Sequence, residues 1–312
     1  MKIEKLDLPK TAIDFLLSEG FSKLYPPQAD CIDAGLLDGK SILVSAPTAS
    51  GKTLTAILAM ISYLSKNNGK VIYLSPLRAL AAEKFIEFKK LEKVELGKKI
   101  KVSISTGDFE NIEKNLEKYN VLVLTNEKMD SIIRHGAEWI DDIGLVIADE
   151  IHLIGDESRG PTLEMILTKL KLLAHKPQIV GLSATITNAN DIANWLDCTL
   201  VKNNWRPVPL SEGVYDSGEV IMNNGNKFQI EPSICGIPVD LGVQSVRDGG
   251  QSLVFAETRT RSKALATKAA DIISQFLEKK ESEDLEKISK KILSDNEHTE
   301  LVKTLATLVK KG

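Results

Sequence analysis

The sequence predicts an α/β fold, a mostly parallel sheet with helices on both faces. Between residues 41 and 200, short runs rich in Val and Ile alternate with amphipathic stretches of helix length. That alternation is the pattern of strands buried on both faces with covering helices between them. The residues able to do chemistry fall just after these runs, at the C-terminal strand ends where open α/β sheets hold ligands. A chain of 312 residues, 43% hydrophobic and 27% charged, is also long enough to bury one or two cores of ordinary size.

The predicted strands cover residues 41–45, 71–75, 102–105, 121–125, 145–149 and 179–183. After Trp205-Arg206-Pro207-Val208-Pro209 the texture changes, which places a boundary near residue 206 and divides the chain into 1–205 and 206–312. Residues 219–222 and 227–230 flank Asn223-Asn224-Gly225-Asn226, a hairpin signal with Asn-Gly at its centre. Beyond it, 252–256 reads as a strand and 259–277 as its helix, the start of a second α/β unit, and 278–312 is charged and helical in pattern. Neither an internal repeat nor a low-complexity segment is present.

Composition excludes several classes. No stretch approaches the roughly 20 apolar residues of a membrane span, and Met1-Lys2-Ile3-Glu4-Lys5 is not followed by an apolar signal core, so no membrane association and a cytoplasmic location are expected. Cys31, Cys198 and Cys235 are widely spaced, odd in number and form no CxxC pair, which argues for reduced, partly buried thiols rather than disulfides or zinc ligands. A formal charge of −3 gives no global basic footprint, so any nucleic-acid contact must come from local placement of groups.

Ala46-Pro47-Thr48-Ala49-Ser50-Gly51-Lys52-Thr53 follows a predicted strand and opens a predicted helix, whose next residue is Leu54. This is the context of a phosphate-binding loop, with Ala46 where the general pattern has Gly. Backbone N–H groups and the positive end of the helix suit phosphate, Lys52 can reach the β and γ phosphates, and the Thr53 hydroxyl can ligate magnesium.

Asp149-Glu150-Ile151-His152 closes the run Gly144-Leu145-Val146-Ile147-Ala148, placing two carboxylates at the tip of a buried strand. Buried charge is costly unless paired or bound to a cation. Asp149 is the expected magnesium partner, and Glu150 is placed to orient and deprotonate an attacking water. His152 has no second ligand at i+4 and reads as a coupling residue. Ser183-Ala184-Thr185 ends another core strand, and a bond from Ser183 or Thr185 to the acidic motif would let the γ-phosphate state be felt outside the pocket.

These motifs, together with Tyr25-Pro26-Pro27-Gln28, Ser75-Pro76-Leu77-Arg78-Ala79-Leu80, Ser105-Thr106-Gly107-Asp108, Thr125-Asn126-Glu127-Lys128 and Asn204-Trp205-Arg206-Pro207-Val208-Pro209-Leu210, resemble superfamily 2 helicases. Within these the chain is most similar to the Ski-two-like branch, in particular the archaeal DNA helicases of fork repair, relatives of the helicase part of DNA polymerase theta. The resemblance implies a RecA-like parallel sheet followed by an incomplete second RecA-like lobe. It also implies an ATP- and magnesium-dependent motor that translocates on single-stranded DNA in fork repair and recombination. Gln28 would bond the adenine edge. Pro76, Arg78, Thr106, Gly107, Thr125 and Glu127 would contact the nucleic-acid backbone, while a solvated charge for Arg78 and a helix cap for Thr125 and Glu127 are the plainer readings.

In that family a His-rich motif, the motif bearing the arginine finger, a winged helix and a helical ratchet domain would follow. None occurs here, so the chain is expected to be an N-terminal motor portion, monomeric, that binds ATP but does not unwind duplexes alone. The motifs leave open an RNA helicase of the same branch, a small-molecule P-loop kinase and a noncatalytic ATP- or nucleic-acid-binding module. Stimulation of ATP hydrolysis by nucleic acid would separate the motor from the kinase.

Overall fold

The computed structural model describes residues 1–106, 116–230, 235–295 and 299–312, arranged as two compact units, Met1–Pro209 and Leu210–Gly312. Among the described residues no helix is long and apolar enough to cross a membrane.

The first unit is built on seven strands: β1 (Ile42–Ser45), β2 (Lys70–Ser75), β3 (Val102–Ser105), β4 (Val121–Thr125), β5 (Ile143–Ala148), β6 (Gln178–Ser183) and β7 (Thr199–Lys202). Their order is β3-β4-β2-β5-β6-β1-β7, and every neighbouring pair is parallel. Successive side chains of a strand face opposite ways, and the sheet shows it. Ile42, Val44, Val71, Tyr73, Val121, Val123, Leu145 and Ile147 enter one core. Leu43, Ile72, Leu74, Leu122, Leu124, Val146 and Ala148 enter the other.

Helices α1 (Lys10–Ser18), α2 (Pro26–Asp33), α3 (Lys52–Lys66) and α4 (Arg78–Lys89) pack on the first face, and α5 (Asn126–Arg134), α6 (Gly160–Lys171) and α7 (Ala189–Trp195) on the second. α3 carries the first core because its residues from Leu54 to Ser62 and Leu64 are buried, each large aliphatic contributing about 1.5–3 kcal/mol of transfer free energy.

The six expected strands of this unit are present. The sequence reading missed β7, a four-residue edge strand of which only Val201 is buried, too short for alternation of apolar positions to be a strong signal. The acidic motif also lies one residue outside its strand: β5 ends at Ala148, although the Asp149 N–H still donates to the Leu74 carbonyl at 3.0 Å.

The second unit begins with a three-stranded antiparallel sheet of β8 (Gly213–Asp216), β9 (Glu219–Met222) and β10 (Lys227–Gln229), in the order β10-β9-β8. The expected hairpin is β9–β10, with Lys227 opposite Ile221. β8 joins it through Ser217 and Gly218, both at positive φ (50° and 94°), the geometry a two-residue hairpin turn requires. Helices α8 (Ile237–Arg247), α9 (Arg259–Ile273), α10 (Lys279–Ser294) and α11 (Glu300–Lys311) follow, and the buried Ser289 hydroxyl ties α10 to the Ala306 carbonyl of α11 at 2.7 Å.

Residues 252–256 are not a strand, and the helix after them stops at Ile273 rather than 277. A strand is held by its ladder. Among the described residues none pairs with this segment, and Leu253 and Phe255 stand 79% and 86% exposed.

Candidate functional site

β1 ends at Ser45 and α3 begins at Lys52, so the phosphate loop is the connection between a fully buried strand and a 15-residue helix. Ala49 and Gly51 turn it through positive φ of 65° and 84°. Gly51 is required twice over, because a Cβ there would also lie 2.0 Å from Gln28 Nε2. The N–H groups of Ala49, Gly51, Lys52 and Thr53 donate to no backbone carbonyl among the described residues. Amides without a carbonyl partner at the positive end of a helix are suited to hold an anion.

Lys52 Nζ donates to the carbonyls of Ala46 (2.9 Å) and Pro47 (3.1 Å). Burial lowers its pKa, with Arg206 adding to the effect and Glu150 and Asp149 opposing it. A bound polyanion would favour the ammonium form and replace the carbonyls as partner. Ser50 Oγ, buried within this loop, has no hydrogen-bond partner among the described residues.

On the neighbouring part of the sheet edge, both Asp149 oxygens are engaged. The Tyr73 hydroxyl donates to Oδ2 at 2.6 Å and the Glu150 N–H to Oδ1 at 3.0 Å. Tyr73 is fully buried on β2, and burial first, then the Asp149 charge, raises its pKa well above the ordinary tyrosine value. Glu150 sits at φ 48°, ψ 44°, a left-handed conformation that costs a non-glycine residue about 1–2 kcal/mol.

His152 Nδ1 lies 3.3 Å from Glu150 Oε2 without hydrogen-bond geometry. The expected bond from Ser183 or Thr185 to the acids is not made. Ser183 Oγ is buried without a hydrogen-bond partner among the described residues, and Thr185 is exposed beyond the end of β6.

Gln28 is 2% exposed, its Oε1 accepting from the Tyr25 N–H (2.8 Å) and its Nε2 donating to the Gly51 carbonyl (3.0 Å). An amide carries two N–H groups, so one remains. Gln28, Gly51, Thr53 and Leu54 line a cavity of about 390 Å³ that also meets Phe21 and Glu87. Tyr25, which also lines it, meets Trp205 in a tilted ring contact with centroids 4.5 Å apart.

Two residues that the motifs do not mark belong to this region. Lys84 on α4 donates to Thr53 Oγ1 (2.8 Å) and to Glu87 Oε2 (3.0 Å).

The other half of the edge, after β2, β3 and β4, holds a cleft of about 350 Å³ lined by Pro76, Arg78, Thr106, Thr125 and Glu127. Five of the six positions expected to touch a nucleic-acid backbone therefore converge, and Gly107 lies outside the described residues. Thr125 also caps α5, its hydroxyl accepting from the Lys128 N–H at 3.4 Å. The cleft adds Arg134, Arg159 and Ser131, which sequence reasoning missed. Ser131 Oγ is buried without a hydrogen-bond partner among the described residues, and Arg134 pairs with Asp130 at 2.6 Å.

The DEAD/DEAH box helicase family model matches residues 25–192, more than half of the chain. The chain belongs to the DEAD/DEAH box helicase family. The first unit is thus a RecA-like helicase domain, and nucleotide use goes with the family. Across the whole chain it is 43% identical over 315 residues to the ATP-dependent DNA helicase Hel308 of Methanocella arvoryzae, spanning 100% of this chain and 42% of that protein. It is 41% identical over 303 residues to the helicase of the same name from Thermococcus kodakarensis, spanning 97% of this chain and 26% of that one. The chain therefore spans less than half the length of these curated relatives. In fold it is similar to the crystal structure of the DUF1998 helicase MrfA bound to DNA, with a TM-score of 0.68 at 20% identity over 91% of this chain and 43% of that one.

Proposed function

We propose that this chain is the ATP-binding and hydrolysing motor portion of an ATP-dependent DNA helicase that moves on single-stranded DNA at forked substrates in fork repair and recombination. The cytoplasm is its location and a monomer its state. The observation that carries the reading is the division of one sheet edge. The phosphate loop follows β1 and the acid pair follows β5, the basic cleft follows β2, β3 and β4, and the Tyr73–Asp149 bond links the two halves where β2 lies beside β5.

In this reading the loop amides and Lys52 hold the phosphates, and the spare N–H of Gln28 reads the adenine edge. Glu150 orients the attacking water and takes its proton. Thr53 and Asp149 fit magnesium, which keeps most of its shell in water and phosphate oxygens and needs one or two protein ligands. When bound, the metal neutralises charge developing on the phosphates. Among the described residues no cluster of three His, Cys, Asp or Glu offers a competing metal site. Arg78, Arg134 and Arg159 take backbone phosphates, which requires no overall positive charge.

The test is ATP hydrolysis by a protein carrying this segment, with and without single-stranded DNA and with RNA of the same sequence, beside strand displacement on a fork. Stimulation by DNA above RNA is expected. Hydrolysis indifferent to both would turn the reading towards a small-molecule kinase.

A further inference from the structure

Glu87 is a carboxylate at the wall of a cavity that Gly51 and Thr53 also line, and nothing in the motor chemistry gives it a role. It lies on α4 and lines the same cavity as Gln28, Gly51, Thr53 and Leu54. Lys84, one turn earlier with 14% of its side chain exposed, donates to Glu87 Oε2 and to Thr53 Oγ1. Glu87 Oε1 has no hydrogen-bond donor among the described residues.

Like charges about 4 Å apart near a protein surface repel by roughly 4 kcal/mol, so a carboxylate that, unlike Asp149 and Glu150, has no magnesium or attacking water to meet is a poor neighbour for a triphosphate. It suits a neutral part of the ligand that donates hydrogen bonds. The cavity is lined both by Gln28, which the proposed reading puts at the base, and by Thr53, which it puts at the phosphates, and the sugar is the part of a nucleotide that joins base and phosphates. Its hydroxyls are donors, and an acidic residue on the ribose hydroxyls is an established solution in other nucleotide-binding sheets. Lys84 offsets the charge that Glu87 would otherwise add near the phosphates and ties it to the residue that meets them.

We propose that Glu87, held by Lys84, accepts a hydrogen bond from a ribose hydroxyl and makes the site select ribonucleotides over deoxyribonucleotides. The inference rests on the nucleotide site proposed above. For a motor working on DNA, this would keep deoxynucleotides out of its fuel site.

The test is calorimetric titration with ADP, 2′-deoxyADP and 3′-deoxyADP without magnesium, using wild type and Glu87→Met, a variant of similar size with no oxygen acceptor. Wild type is expected to bind one deoxy analogue roughly tenfold more weakly than ADP, the scale of one hydrogen bond to a charged group. In Glu87→Met the three affinities are expected to converge. Equal affinities in wild type, or discrimination that survives in a folded Glu87→Met, would overturn the proposal and leave the nucleotide site standing. Absence of binding by all three would reject that site as well. The wild-type series decides by itself if the variant does not fold.

Discussion

The Tyr73 hydroxyl and the Asp149 carboxylate, 76 residues apart in sequence, meet at 2.6 Å across adjacent strands. With the Glu150 N–H on its other oxygen, Asp149 is held in one orientation before any ligand arrives. A hydrogen bond to a charged group is worth about 1.5–3 kcal/mol, so Tyr73→Phe, which keeps the ring, is expected to raise the magnesium needed for ATP binding by roughly tenfold or more. Nucleotide binding without magnesium should be unchanged. Titration of nucleotide affinity against magnesium checks this, and an unshifted curve would assign Tyr73 to packing alone.

Lys52→Ala is expected to weaken ATP binding by at least about tenfold, because the phosphates lose their cationic partner inside the loop. Calorimetry on the folded variant is the measurement. An unchanged dissociation constant would remove the loop from the nucleotide site.

Glu150 combines a chemical role with backbone strain, so two substitutions should separate them. Glu150→Gln keeps the strain and is expected to leave ATP bound while hydrolysis falls steeply. Glu150→Gly relieves the left-handed conformation and is expected to stabilise the fold by about 1 kcal/mol, with hydrolysis again abolished. Thermal melting beside single-turnover hydrolysis reads both effects. A less stable Glu150→Gly would mean that the Glu150 side chain contributes more than its conformation costs.

Arg78→Ala, Arg134→Ala and Arg159→Ala are each expected to weaken single-stranded DNA binding regardless of sequence. Removing one arginine–phosphate pairing should flatten the salt dependence by about 0.7 in log–log slope. Fluorescence anisotropy across a salt series measures it. Substitutions that leave the slope unchanged would place the nucleic acid elsewhere.

Burial pushes the thiols of Cys31 and Cys198 up to about 12. The reactive thiolate is therefore scarce in the folded protein at pH 8. Iodoacetamide followed by mass spectrometry is expected to leave both unmodified until the chain is denatured. Rapid labelling of the native protein would contradict the packing around α2 and β7.

Features that depend on neighbours in the chain were legible in the amino-acid sequence alone. Runs such as 71–74 and 121–124 are apolar throughout because both faces of those strands are covered. The Gly51-Lys52-Thr53 turn opens a helix because of its own backbone freedom and the good helix formers that follow. Asn224-Gly225 closes a hairpin through local turn chemistry. Sheet order and helix packing supplied the rest. They brought Tyr73 to Asp149, Lys84 to Thr53 31 residues away, and Ser131, Arg134 and Arg159 into one cleft with Arg78. They also made residues 199–202 a strand against β1 while the more apolar 252–256 is not one. The cause is the same in each case: a ladder or a side-chain bond needs its partner in place, and partners distant in sequence are supplied only by the packed fold.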